Sequence, residues 1–188
     1  MIITDGTGTC NAARVTSNNR LDTISTSLSA QARESAERGK SFQVSGTATP
    51  VVGSAPVLWL TNTSAESMII TFIRMASSGI ISDTEANYFS IVKNPTYNSG
   101  GVAVDPINMN YSSNVDAEAT AYSGSTPLVL GSTSVEIDRN YKVNDMLSYD
   151  KQGSVVLQKG NSIGIVYTDT ATAGEVYARI SFYYSEAV

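Results

Sequence analysis

Residues 57–76 read VLWLTNTSAESMIITFIRMA, two apolar runs on either side of the polar hexamer from Asn62 to Ser67. The pattern predicts a β-hairpin that turns at the hexamer. Met68 to Met75 is rich in β-branched and aromatic residues and nearly continuous in its apolarity, which predicts a strand covered on both faces, central in a sandwich. Neighbouring side chains on a strand point to opposite faces, so Ile69, Ile70, Phe72, Ile73 and Met75 cannot all fill one interior. One set packs the sandwich. The other needs an arm, a loop or another subunit as cover, and a subunit is the expected one.

The rest of the composition agrees with a packed β-protein. A chain of 188 residues and 19.9 kDa suits one core plus an arm. Only 15% of residues are charged against 41% hydrophobic, as expected of a protein that buries surface against neighbours. A net charge of -5 leaves no excess of cations to neutralise phosphates, so no nucleic-acid partner is expected. No apolar run reaches the ~20 residues of a spanning helix, and MIITDGTGT has neither the basic nor the apolar region of a signal peptide. No membrane partner is expected, and synthesis is expected in a cytoplasm. Cys10 is the single cysteine, excluding an intrachain disulfide, and reads as an ordinary thiol.

Two regions follow in chain order. Residues 1–40 read as an arm or peripheral segment: Gly6-Thr7-Gly8 is a turn lacking the Gly-Lys-Ser/Thr of a phosphate loop, and Thr23 to Lys40 is the only helix pattern, with a thin stripe of Leu28, Ala32 and Ala36. Residues 41–188 read as the sandwich domain. Phe42 to Ser45 is a strand, Gly46 to Pro56 a loop, Ser82 to Asn87 a turn, Tyr88 to Val92 a strand and Asn94 to Gly101 a long loop. Val102 to Asn110 is a short strand that Pro106 assigns to a sheet edge. Further strands fall at Asp116 to Tyr122, Ser134 to Asp138, around Val155 to Leu157, Ser162 to Tyr167 and Glu175 to Tyr184. Eight to ten short strands without a fixed repeat predict an all-β antiparallel fold, a two-sheet β-sandwich or jelly roll.

Chemistry is sparse. With no histidine and one cysteine, the usual general base, the Ser-His-Asp and Cys-His arrangements and ordinary zinc or copper sites are all missing. Asp116 and Glu118, like Glu136 and Asp138, stand two apart on expected strands, where each pair projects from one face. Such pairs suit Ca²⁺ or glycoside chemistry, and equally a solvated face that discourages edge pairing. No catalytic, cofactor-binding or metal-ligating residue is assigned. Ten tyrosines include Tyr88, Tyr97, Tyr111 and Tyr122 near loops and Tyr177, Tyr183 and Tyr184 in the last strand, a composition that serves packing, protein interfaces and sugar platforms.

Two places carry a resemblance. Asp5 to Gly8 followed by Ala13-Arg-Val-Thr-Ser-Asn-Asn-Arg-Leu21, a charged Ala/Glu segment and Gly39 to Phe42 resembles the N-terminal region of tailed-bacteriophage virion proteins, where a DGTG-type turn precedes a V-x-x-x-N-R-L run. Leu58 to Asn62, Lys93 to Thr96 with Gly100 and Gly101, Pro106 to Asn108, Lys159 to Ser162 and Arg179 to Tyr183 are similar to jelly-roll head decoration proteins of such phages. Cys10-Asn11-Ala12 departs from the Gly or aromatic residues expected there. The resemblance implies a jelly roll, assembly as a symmetric oligomer, often a trimer, and a place on the particle. The expected function is therefore a non-enzymatic capsid decoration, or cement, protein that binds the major capsid protein of the same virion as a homotrimer. A receptor- or glycan-binding head on a fibre, tail or neck is the alternative, with tyrosines of the Asn94 to Tyr111 region as its platform, and a depolymerase using the paired carboxylates is a third.

Overall fold

The computed structural model describes residues 2–4, 12–15, 21–22, 38–49, 53–77, 87–131, 135–141, 147–169 and 174–185. Of the sequence expectations, the Gly6 to Gly8 turn, Cys10, the body of the helix over Thr23 to Lys40 and the turn from Ser82 lie outside these residues. Three short strands, β1 (Ile2–Thr4), β2 (Ala12–Val15) and β3 (Leu21–Asp22), pair as an antiparallel meander.

The body is all-β. Its strands are β4 (Ser41–Ala48), β5 (Gly53–Asn62), β6 (Ser67–Ser77), β7 (Tyr88–Lys93), β8 (Tyr97–Ala103), β9 (Ile107–Asn108), β10 (Ala119–Leu130), β11 (Val135–Tyr141), β12 (Leu147–Leu157), β13 (Ser162–Asp169) and β14 (Val176–Ser185). They form a five-stranded sheet, β12-β6-β14-β4-β9, and a six-stranded sheet, β11-β7-β13-β5-β10-β8. Every pairing is antiparallel. Without β8, β9 and β10, the sheets reduce to β12-β6-β14-β4 and β11-β7-β13-β5, the strand order of a jelly roll. The expected fold class is present, and β8 to β10 are an insertion between β7 and β11.

That order corrects the hairpin. β5 and β6 belong to different sheets, and the polar hexamer is an arch over the end of the sandwich. A hairpin turn would pair the flanking strands with each other. Here Asn62 instead donates from Nδ2 to the carbonyls of Glu66 and Leu157 (both 2.8 Å), and its Oδ1 accepts from Ser64 N (2.9 Å). Thr63 N and Ser64 N donate to Glu118 O (3.0 and 3.1 Å), so the arch groups are satisfied by other segments.

The expected Gly46 to Pro56 loop is also shorter, since β4 runs to Ala48 and β5 starts at Gly53. At Gly46 a Cβ would press on Val57 O and Leu58, so the glycine permits close approach of the sheets. Pro56 sits where the β5–β13 register shifts, a place that tolerates its missing N–H. The Asn94 to Gly101 loop contracts to residues 94–96, because the polar stretch from Tyr97 pairs with β10 despite lacking an apolar period. β8 and β9 are the outermost strands of their sheets with Pro106 between them, as the edge reading expects.

β6 is central, between β12 and β14. Its apolar run is two alternating halves out of phase: Ile70 and Phe72 both have partners on β14, and Thr71 is skipped. The bulge lets Met68, Ile70, Ile73 and Met75 all face the core, each fully buried, which contributes about 1.5–3 kcal/mol per side chain. Ile69 and Phe72 face outward and are half-buried within the chain itself. On the inner faces, Phe42 stacks on its cross-strand partner Phe182 in the five-stranded sheet (centroids 5.7 Å apart) and Phe89 meets its cross-strand partner Tyr167 in the six-stranded one (4.8 Å).

Candidate functional site

The paired carboxylates do not form the predicted arrangements. Asp116 and Glu118 precede β10, in irregular chain and exposed to solvent. Glu136 and Asp138 lie on β11, but its register against β7 shifts between them, so Glu136 stands opposite Val92 and Asp138 opposite Ile91, which face opposite ways. Glu136 accepts from Arg139 Nε and Nη2 (2.9 and 3.0 Å) and from Ser90 Oγ (2.8 Å), and these donors, Arg139 first, hold its carboxyl below the usual range. Among the described residues no three His, Cys, Asp or Glu side chains come together.

The tyrosines divide into packing and surface. Tyr183 and Tyr184 are buried, and burial, with Glu118 and Glu66 nearby, pushes the Tyr184 phenol up. Tyr177 receives Arg179 Nε at its hydroxyl (2.6 Å). Tyr97 and Tyr122 stack nearly parallel (4.2 Å, 9°) on the outer face of the six-stranded sheet, with Trp59 beside both (5.5 and 5.9 Å). Trp59 Nε1 donates to Pro95 O (2.8 Å), and at Gly164 a Cβ would press on Pro95, so the chain crosses the sheet closely there. Partial burial, then Tyr122, pushes the Tyr97 phenol above its ordinary range.

Tyr111 differs from all of these: it is 95% exposed. The loop that carries it, residues 108–115, is nonetheless tightly tied. Asn108 Nδ2 donates to Gly39 O (2.6 Å) and Val115 O (2.8 Å), and Asn108 Oδ1 accepts from Asn110 N (2.9 Å). Asn110 Oδ1 accepts from Ser112 N (3.1 Å), Ser113 Oγ accepts from Val115 N (3.2 Å), and Met109 N donates to Ser41 O (2.8 Å). These Asx and serine turns fix the loop without a core of its own. Ile107 (62% exposed), Met109 and Val115 of the same stretch are exposed as well.

The opposite flank of the sandwich is formed by β11 and β12, and a cleft of about 190 Å³ opens there, lined by Lys93, Ile137, Val155, Leu157 and Ile163 among others. Its exposed apolar neighbours are Val135, Ile137 and Val156. The space falls below the roughly 300 Å³ of small-molecule pockets and matches a single side chain.

Compared with known proteins, the chain matches no family and no curated sequence. Sequence reasoning singled out Tyr111 and Tyr122 but missed the tied loop and the place of Trp59. The Asn108-Met-Asn-Tyr-Ser-Ser-Asn114 spacing, three Asn and two Ser in seven residues, was the available signal for successive Asx turns.

Proposed function

We propose that this chain is a non-enzymatic structural protein of a tailed-phage virion, a decoration subunit that binds the outer head shell and stabilises it as a homotrimer. The observation that carries the reading is the tied loop holding Tyr111 into solvent on a jelly-roll body. An exposed aromatic side chain on a hydrogen-bonded loop is the composition of an interface anchor, and the fixed backbone lowers the ordering cost of binding. The sequence resemblance to head decoration proteins supports the shell as the place of action. Many modest contacts repeated around a trimer add through multivalency. Titrating purified protein onto shells that lack it tests the reading: saturable binding and a raised shell melting temperature are expected, and unchanged heat resistance overturns it.

A receptor- or glycan-binding role is favoured by the Trp59, Tyr97 and Tyr122 stack, since aromatic faces on an outer sheet surface suit sugar rings. Retention on a broad glycan array that is lost in Tyr97→Ala would move the assignment to this second reading.

A further inference from the structure

The outward face of the five-stranded sheet holds two arginines that the sheet itself does not neutralise. Arg74 on β6 and Arg179 on β14 stand directly opposite each other in the ladder. Their neighbours Ile73, Met75, Ala178 and Ile180 are buried in the core, so both arginines point away from it, and both are half-buried. Directly opposed side chains start about 5 Å apart, where like charges destabilise a sheet. The row continues to Ser148 on β12 and Ser45 on β4, so no carboxylate stands in register with either arginine. The five strands carry one acidic residue, Asp150, against Arg74, Arg179 and Lys151, and Asp150 is in register with Phe72 instead. In a chain with 17 acidic and 12 basic residues, this sheet is a local cationic surface. The two guanidinium groups turn apart. Arg74 lies over the ring of Phe72 (5.7 Å), and Arg179 lies over Tyr177 (5.5 Å) and donates from Nε to its hydroxyl (2.6 Å). These rings lie in opposite directions from the pair, since Phe72 is opposite Ser181 and Tyr177 is opposite Ala76. Arg74 Nε is buried without a hydrogen-bond partner, which is costly for a charged donor. Among the described residues no carboxylate is paired with either group, whereas Lys40 is paired with Glu66 and Arg139 with Glu136.

We infer that the Arg74–Arg179 pair binds an oxyanion, a phosphate or carboxylate group that draws the two guanidinium forks together over the β6–β14 ladder. The two groups share the chemistry the pair selects: several acceptor oxygens in the geometry that a guanidinium fork meets two at a time. Each arginine has five donors, and of these the protein engages Arg179 Nε with a tyrosine hydroxyl and leaves Arg74 Nε unmade. An anion between the strands turns one repulsion into two attractions and supplies acceptors that the sheet does not. The site is separate from the Tyr111 loop and goes beyond the decoration role, and neither needs the other.

Thermal melting of the full-length protein in inorganic phosphate, in succinate and in sodium chloride of equal ionic strength tests it. The proteins compared are the wild type, Arg74→Gln and Arg179→Gln, both changed at half-buried outward positions, and Lys93→Gln, which removes an exposed cation from the other sheet. With at least one of the two oxyanions the wild type is expected to show a saturable rise in melting temperature that chloride does not give. The rise should reach roughly 5 °C at about a hundredfold excess over the dissociation constant. Each arginine variant is expected to lose most of it, and Lys93→Gln to keep it. A response to phosphate alone or to succinate alone sustains the site and assigns its oxyanion. A rise that does not saturate, or that is equal in the wild type and both arginine variants, is the general effect of excluded salts and overturns the inference, as does no rise beyond that in chloride.

Discussion

Asn62 ends β5 beneath the sandwich and Asn108 ends β9 at its edge, and the two side chains are used the same way. Each amide nitrogen bridges two backbone carbonyls, Glu66 and Leu157 for Asn62, Gly39 and Val115 for Asn108, and each Oδ1 accepts the N–H two residues on. Asn62 is fully buried, and the arch after it holds Ser64, itself 5% exposed, toward the core. Asn108 is partly exposed, and the loop after it holds Tyr111 away from the core. Rigidity is therefore a property of the local hydrogen bonds, and role is set by where the rigid loop points its side chains. The arch closes a core, while the loop prepares a contact.

The comparison breaks if the two asparagines behave alike on substitution. Asn62→Ala removes the fully buried amide that bridges the Glu66 and Leu157 carbonyls, and a loss of about 3 kcal/mol in urea unfolding is expected. Association of the remaining folded protein should be unchanged. Asn108→Ala frees groups that water can reach, so stability should fall by only about 1 kcal/mol, while association measured by sedimentation weakens severalfold as the Tyr111 loop loses its brace. Equal stability losses at the two sites would remove the distinction between closing a core and preparing a contact.

The smallest effect belongs to the cleft side. The Glu136 carboxyl is held low by Arg139 and Ser90, so the folded state binds its proton less readily than the unfolded state. That contribution is complete above the ordinary glutamate range and is lost as pH falls through the lowered value. Glu136→Gln lacks it. The difference in unfolding stability between wild type and this variant should be small at neutral pH, because the pair is exposed, and should fade on acidification. A difference that grows as pH falls would contradict the assigned hydrogen bonds.

How much of this was legible from residues alone differs between the two regions. The strands β7, β13 and β14 stand out in the sequence because buried β-branched and aromatic runs leave a period that local reading can see. Which strands pair did not: the hexamer at Asn62 has hairpin chemistry, and only the distant carbonyls of Leu157 and Glu118 make it an arch. The bulges at Thr71 and Ile137 shift side-chain parity by one residue, so runs that look continuous or paired in sequence resolve differently in space. β8 was illegible because Tyr97 to Gly101 is polar and Gly-rich, and its pairing with β10 is a tertiary effect.

Hydrogen exchange read by mass spectrometry, on wild-type protein at concentrations below and above its association midpoint, tests the central claim most directly. The account predicts that amides of residues 109–115 gain protection as concentration rises, while those of the Asn62 arch are slow at both concentrations. Protection gained instead on the outward face of β6 and β14, or no concentration-dependent change at all, would contradict it.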